Sequence, residues 1–245
     1  MRRVLVTGGS RGIGRAIVAA FAANGDRVAI HHRDSAALAD TLLSDLPGDG
    51  HLIVSGDVAD PDAVRAFVDA AADGLGGLDV VVNNAAVFPP HPIESTSYEE
   101  WRAAWQRTID VNLTGPANVC WCAVRHLPPG GRIVNVSSRG AFRGEPGQPG
   151  YGASKAGLNS LSQSLAVALA PRGIAVTAVA PGYVETDMSN AHLKSPRGDA
   201  IRAQSPFNRV ARPEEIAEAV LWLADPRAEW ASGAVLDLNG ASYLR

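Results

Sequence analysis

Tyr151 and Lys155 stand four residues apart in Tyr151-Gly152-Ala153-Ser154-Lys155, at the start of an apolar, helix-patterned stretch, and Ser138 lies thirteen positions upstream at the end of a strand-like run. Residues i and i+4 of a helix project from one face with Cβ atoms about 5–6 Å apart, so the ammonium can lie close enough to the phenol to favour phenolate. A phenol that titrates near 10 is a poor acid–base catalyst at neutral pH, and bringing it down by about three units requires roughly 4 kcal/mol. A neighbouring ammonium and a cationic ring could supply it. The pattern suits proton transfer. Taken alone, Tyr-x-x-x-Lys is equally what two solvated side chains on a helix surface look like, and the rest of the chain has to decide.

The elements that would position such a site begin at the N-terminus. Arg2-Arg3-Val4-Leu5-Val6 reads as a short buried strand that runs into Thr7-Gly8-Gly9-Ser10-Arg11-Gly12-Ile13-Gly14, after which Ala16, Ile17, Ala20 and Phe21 recur at helical spacing. Strand, glycine turn and helix together make a phosphate cradle. Glycines permit backbone conformations and close approaches that a Cβ would block, and the free N–H groups of a helix's first turn attract an anion. The spacing is Thr-Gly-x-x-x-Gly-x-Gly rather than G-x-G-x-x-G. A tight turn without a ligand is the bland alternative.

Further strand-like runs occur at 27–31, 51–54, 78–82, 131–136, 174–180 and 234–238, separated by helical patterns such as 12–24, 61–73, 151–170 and 213–224. This alternation predicts an α/β fold, a single-domain, doubly wound parallel sheet of about seven strands with helices on both faces and ligands at the carboxyl ends of the strands. No linker-like composition break divides the 245 residues. With 46% hydrophobic and 19% charged residues the chain can build a sizeable core, and a net charge of −3 gives no electrostatic case for nucleic acid. The N-terminal apolar run is far too short for a signal peptide or membrane span, which leads to a cytoplasmic expectation. Cys120 and Cys122, at i,i+2 of a helical stretch, point to different faces and suggest packing rather than a disulfide. His31 and His32 face opposite ways on a strand and lack a third ligand at metal-like spacing, so no metal is expected.

The chain resembles the short-chain dehydrogenase/reductase family over almost its whole length. The resemblance is carried by Thr7 to Gly14, Asp57-Val58, Asn83-Asn84-Ala85-Ala86, Asn112 within Asp110-Val111-Asn112-Leu113, Ser138, Tyr151 with Lys155, and Pro181-Gly182-Tyr183-Val184-Glu185-Thr186. The wording is most similar to bacterial 3-oxoacyl-acyl-carrier-protein reductases and related carbonyl reductases. The resemblance implies that Tyr151 exchanges a proton with the substrate oxygen while hydride passes between a nicotinamide and the carbonyl carbon. It implies that Lys155 lowers the Tyr151 pKa and binds the nicotinamide ribose, that Ser138 donates to the substrate oxygen, and that Asn112 interrupts its helix and holds a water in a proton relay to Lys155. Ser137 is the rival to Ser138, and the thirteen-residue separation favours Ser138.

The same resemblance assigns the cofactor contacts to Gly8, Ser10, Arg11, Gly12, Ile13 and Gly14 at the phosphates, Asp57 and Val58 at the adenine, Asn84 and Ala85 along the cofactor, and Pro181, Gly182, Val184 and Thr186 at the nicotinamide. Ala86 stands where the family usually has Gly. His32 occupies the place where NAD-specific relatives carry an acid, and Arg33 with Arg11 could clamp a 2′-phosphate, so NADP(H) is favoured over NAD(H), with Asp34 as a complication. Residues 187–210 read as a mobile lid over the substrate. The expected reaction is interconversion of a ketone and a secondary alcohol, with 3-oxoacyl thioesters or β-keto esters first, and sugars, polyols, steroid-like or polyketide alcohols as alternatives. A non-catalytic nucleotide sensor on the same fold is the reading from another class. A homotetramer is expected, from resemblance and from broadly apolar helices around 110–126 and 151–170. Docking of an acyl carrier protein is doubtful, because Arg172 is present but the segment Leu127-Pro128-Pro129-Gly130-Gly131 lacks a base, with only Arg125 and Arg132 flanking it.

Overall fold

The computed structural model describes residues 1–245 apart from the side chain of Ala191. Seven strands, β1 (Arg3–Val6), β2 (Arg27–His32), β3 (Leu52–Ser55), β4 (Val80–Asn83), β5 (Arg132–Val136), β6 (Ala175–Pro181) and β7 (Val235–Leu238), form one sheet in the order β3-β2-β1-β4-β5-β6-β7. Every pairing is parallel. The chain winds outward from β1 to β3, then returns to β4 on the other side of β1, and this reversal opens a crevice beyond the carboxyl ends of β1 and β4. The glycine turn lies at that point. All seven strands fall within a residue or two of the runs read from the sequence.

Apolar residues alternate between two cores, one on each face. Val4, Val6, Val28, Ile30, Val80, Val82, Val134 and Val179 pack under α1 (Gly12–Ala23), α2 (Ala36–Asp45) and α10 (Pro213–Leu223). Leu5, Ala29, Val81, Ile133 and Val176 pack under α3 (Pro61–Leu75), α5 (Gly115–Ala123) and α7 (Pro149–Leu169). Strands covered on both sides have to be apolar on both sides, which is why β1 and β4 read as continuous runs rather than as alternation. The helix α3 shows how local sequence sets the boundaries: Asp60 accepts from the N–H groups of Asp62 and Ala63, Pro61 opens the first turn, and Gly76 closes the helix at φ 79°. In α4 (Tyr98–Ile109), Ser97 and Glu100 form a reciprocal capping box.

The structure refines three expectations. The stretch around 110–126 is not one regular helix: Asp110–Thr114 is a π-helical turn, and α5 follows it. Cys120 and Cys122 are both free and both enter the core beneath α3, because α5 is covered over a broad arc rather than along one stripe. Within 187–210, the segment read as a lid, the chain forms α8 (Asp187–Leu193) and α9 (Gly198–Arg202). The proline-rich connection at 86–100 is likewise ordered by packing. Fully buried His91 donates from Nδ1 to the Pro89 carbonyl at 2.8 Å, accepts from the Gly150 N–H at 3.0 Å, and lies 5.4 Å from the Trp101 ring, which stacks on Trp105 at 5.7 Å. Through Gly150, this connection pins the first turn of α7, the helix that carries Tyr151 and Lys155.

Candidate active site

The glycine turn is built so tightly that side chains are excluded from it. A Cβ on Gly14 would lie 2.1 Å from the Gly8 carbonyl oxygen and 2.5 Å from Asn84 Nδ2, and Gly8 and Gly12 have φ of 63° and 53°. Thr7 is the anchor. Its hydroxyl accepts from the N–H groups of Asn84 and Ala85 at 3.0 and 3.1 Å, while Asn84 Nδ2 donates back to the carbonyls of Thr7 and Gly8, each at 3.0 Å. The side chain of Asn84 thus shapes the turn instead of reaching outward. From the other side, the Gly8 N–H donates to His31 Nδ1 at 3.1 Å, and His31 Nε2 donates to the Gly56 carbonyl at 3.0 Å. That bridge ties the turn to the end of β3. Burial pushes the His31 pKa down to about 4, so the imidazole is neutral in the tautomer these bonds require.

The residues assigned to a dinucleotide follow the carboxyl ends of β1, β2, β3, β4 and β6, along one edge of the sheet. Ser10 bonds the Ser35 hydroxyl at 2.7 Å; Arg11 and Ile13 flank the first turn of α1; and a Cβ on Gly12 would come within 3.3 Å of Thr186 Cγ2. The glycine turn and the loop after β6 therefore face each other. Pro181 and Gly182 end β6, with the Gly182 N–H held by the Leu238 carbonyl, Val184 is buried, and Thr186 caps α8. At the far end Asp57 accepts from the Ala59 N–H at 3.0 Å, next to buried Val58. Burial opposes ionisation of Asp57, yet that N–H and the guanidiniums of Arg107 and Arg33 hold its pKa below the usual value. Arg107 lies 2.9 Å and Arg33 3.8 Å from Asp57 Oδ2, and Arg33 also pairs with Asp34. His32 is buried with Nδ1 unpartnered. A turn that any Cβ would block, beside a helix N-terminus, fits a pyrophosphate, and a dinucleotide held there would supply hydride at its nicotinamide.

The chemistry-bearing side chains meet at the end of β5 and the start of α7. Ser138 follows β5, its oxygen accepts from the Gly140 N–H at 3.0 Å, and its hydroxyl is near enough to Tyr151 to lower the phenol's pKa. Ser137 instead turns inward and donates to the Lys155 carbonyl at 3.3 Å, away from the Tyr151 side chain. Lys155 is 2% exposed, donates from Nζ to the Val136 carbonyl at 2.7 Å, and lies 5.8 Å from the centre of the Tyr151 ring. Burial pushes Lys155 down to about 8 and Tyr151 up to about 12, the Ser138 hydroxyl opposing the latter. The sequence-based expectation of a lowered phenol is not met in the protein by itself: the ammonium faces a carbonyl, and desolvation dominates. A neutral phenol is the form that can give a proton to a carbonyl oxygen.

Asn112 sits inside the π-helical turn, fully buried. Its Oδ1 accepts from the Val87 N–H at 2.9 Å, and its Nδ2 donates to the Val87 carbonyl at 3.0 Å and to Ser154 Oγ at 3.2 Å. The interruption of the helix is therefore present, and through Ser154 the Asn contacts the helix of Tyr151 and Lys155. Sequence reasoning missed several neighbours that only tertiary packing assembles. Phe88 meets the Tyr151 ring edge-on at 4.6 Å and approaches His192 at 6.2 Å. Glu145, which burial pushes up, and Tyr183 both raise the Tyr151 pKa through their charge. Arg107 reaches Asp57 from α4, and no motif announces it.

Comparison with known proteins places this geometry. A family model described as Enoyl-(Acyl carrier protein) reductase matches residues 8–240. The cis-4-hydroxycyclohexanecarboxylate dehydrogenase of Sinomonas cyclohexanicum is 41% identical over 243 residues, covering 98% of this chain and 95% of that protein. The 3-oxoacyl-[acyl-carrier-protein] reductase of Synechocystis is 36% identical over 246 residues, covering 98% and 96%. The chain spans 43% of a longer relative, an uncharacterized short-chain type dehydrogenase/reductase of Sinorhizobium fredii, at 40% identity. A short-chain dehydrogenase from Burkholderia cenocepacia, crystallised in complex with NADP, superposes with a TM-score of 0.90 at 35% identity over 98% of this chain and 97% of that one. The chain belongs to the short-chain dehydrogenase/reductase family.

Proposed function

We propose that this protein is a single-domain, NADP(H)-dependent oxidoreductase that interconverts a ketone and a secondary alcohol, with 3-oxoacyl thioesters or β-keto esters as the first substrates to test. The observation that carries the reading is the convergence of Ser138, Tyr151, Lys155 and Asn112 around the end of β5 and the start of α7, at the carboxyl edge of the sheet that also carries the glycine turn. Tyr151 gives its proton to the oxygen during reduction, Ser138 holds that oxygen and stabilises its developing charge, and Lys155 offsets charge on the phenol. The preference for NADP(H) is supported by Arg33 and Arg11 near the place of the ribose, by the absence of a carboxylate at His32, and by the NADP found with the Burkholderia relative. The test is NADPH oxidation over a panel of ketones. Tyr151→Phe should lower kcat by about 10²–10⁴-fold and leave NADPH affinity nearly unchanged. Near-normal turnover would remove Tyr151 as the acid.

A carrier protein should add little to the reaction. Arg172 directs its guanidinium to the carbonyls of Val124 and Leu127, Arg125 lies over the Trp121 ring at 3.1 Å, and Arg132 is buried, so the bases that could meet an acidic partner are engaged at home. The cyclic hydroxy acid named for the Sinomonas relative keeps ring-bearing acids among the substrates to try. Among the described residues, no helix is long and apolar enough to cross a membrane, and we place the enzyme in the cytoplasm. Exposed Trp121, Val167 and Trp230 support assembly into a homotetramer; a monomer by light scattering at micromolar concentration would contradict it.

A further inference from the structure

Two guanidiniums converge beside the catalytic serine, and among the described residues no carboxylate forms an ion pair with either. Arg139 directly follows Ser138 and is 4% exposed. Its Nη2 donates to Gln204 Oε1 at 2.5 Å, its Nη1 donates to the Ser242 hydroxyl, and its charge lies 5.2 Å from the centre of the Tyr183 ring. Arg143, on the next turn, donates to the same Gln204 oxygen at 3.1 Å. All these acceptors are neutral. A cation taken out of water loses its hydration, and neutral oxygens return only part of it. Burial, and after it the proximity of Arg143, weaken the hold of Arg139 on its proton. Glu145 is near enough to act on both arginines through space, yet it bonds neither, and burial raises its own pKa.

The surroundings suit a ligand. Arg139 and Tyr183 line a cavity of about 270 Å³ that also holds Ser205, Ser242 and the charged side chains of Arg209, Glu215 and Asp237, drawn from the segment after α9 and from the C-terminal segment. Arg139 directly follows Ser138 in the chain, which puts one wall of the cavity a single residue from the catalytic serine. Glu215 is paired with Arg209 at 2.6 Å and Asp237 with Arg245 at 2.9 Å, so those carboxylates are already compensated, and Arg139 and Arg143 against Glu145 leave one positive charge over, which matches a monoanion. The planar guanidinium fork fits a carboxylate.

We propose that Arg139 and Arg143 bind a carboxylate of the substrate, so that this enzyme selects an oxo acid or hydroxy acid whose carboxylate is remote from the reacting oxygen. The inference rests on the reading that Ser138 and Tyr151 hold that oxygen, and it puts such acids ahead of neutral esters and thioesters. The Gln204 amide, which occupies both guanidiniums, yields to the carboxylate or rotates to donate to it.

The experiment compares 4-oxocyclohexanecarboxylate with its methyl ester as NADPH-dependent substrates. The acid should exceed the ester in kcat/KM by about 10- to 100-fold, mostly through KM. Arg143→Gln should collapse that ratio towards one, and Arg143→Lys should restore part of it. Because Arg143 is exposed, its variants remain informative if an Arg139 variant fails to fold. Calorimetric binding of cyclohexanecarboxylate against cyclohexanecarboxamide keeps the two readings apart. Tighter binding of the acid that Arg143→Gln abolishes, with no ketone reduced, would leave the anion seat standing and sink the oxidoreductase assignment for such substrates. Equal treatment of acid and neutral analogue by the wild type, or an unchanged ratio in Arg143→Gln, would overturn the inference.

Discussion

Replacing Lys155 with Met tests the electrostatics of the site, most directly in the cofactor-free protein. The lysine titrates at about 8 instead of 10.5 because burial penalises its ammonium. In the unfolded chain the amine keeps its proton up to the higher value; in the fold it gives it up at the lower one. The unfolded state therefore binds more protons between the two, and stability rises with pH across that window. Below about 8 the penalty is present in full, and the lowering from 10.5 to about 8 corresponds to roughly 3 kcal/mol. Methionine fills most of the same volume and carries no proton. Urea unfolding of the cofactor-free protein at about pH 7 and about pH 10 should show the wild type gaining about 2–3 kcal/mol relative to Lys155→Met. Tyr151, raised to about 12, acts in the opposite sense only above its ordinary value of 10.0, where a folded phenol that keeps its proton lowers stability as pH rises. Parallel pH curves for wild type and variant would refute the claim that a charged lysine is buried here. In catalysis, alcohol oxidation needs the phenolate, so its rate should rise with pH through an apparent value that Lys155→Met moves upward; no movement would remove the electrostatic role of Lys155.

Two further outcomes follow from the residues assigned to the cofactor. Gly14→Ala forces a Cβ to within 2.1 Å of a backbone carbonyl, so the turn must shift, at a cost of about 1–3 kcal/mol or more; NADPH binding followed by fluorescence should be lost or severely weakened, and retained affinity would mean that the turn is not the phosphate seat. Arg33→Ala should reduce the NADPH over NADH preference in kcat/KM by about 10- to 100-fold, and an undiminished preference, or equal use of both cofactors by the wild type, would defeat the assignment of Arg33 to the 2′-phosphate.

Much of the site was legible because its chemistry is local in sequence. Tyr151 and Lys155 share one helix, and the glycine turn joins one strand to the next helix, so spacing alone brings those groups together. Ser138 was legible by separation, although only the fold shows Ser137 turned towards the backbone of α7. Where groups come from distant segments, the sequence was silent. Arg107 reaches Asp57 across 50 positions, Phe88 meets Tyr151 across 63, and His91 fixes Gly150 across 59. The lid read as weakly periodic because α8 and α9 are too short to show a helical repeat.

The sequence by itself determined the doubly wound parallel sheet and the residues at its carboxyl edge, while the strand order came from the fold. Strands apolar on both faces, alternating with helices, leave few other ways to bury them. It could not determine the charge state of those residues. Tyr151 and Lys155 have ordinary pKa values as free side chains, and spacing suggested that the ammonium would pull the phenol down. Only the packing shows that both are desolvated, that the lysine faces the Val136 carbonyl, and that the phenol is held neutral. Burial and hydrogen-bond direction are properties of the assembled layers, to which every neighbouring element contributes, and no window of the chain contains them.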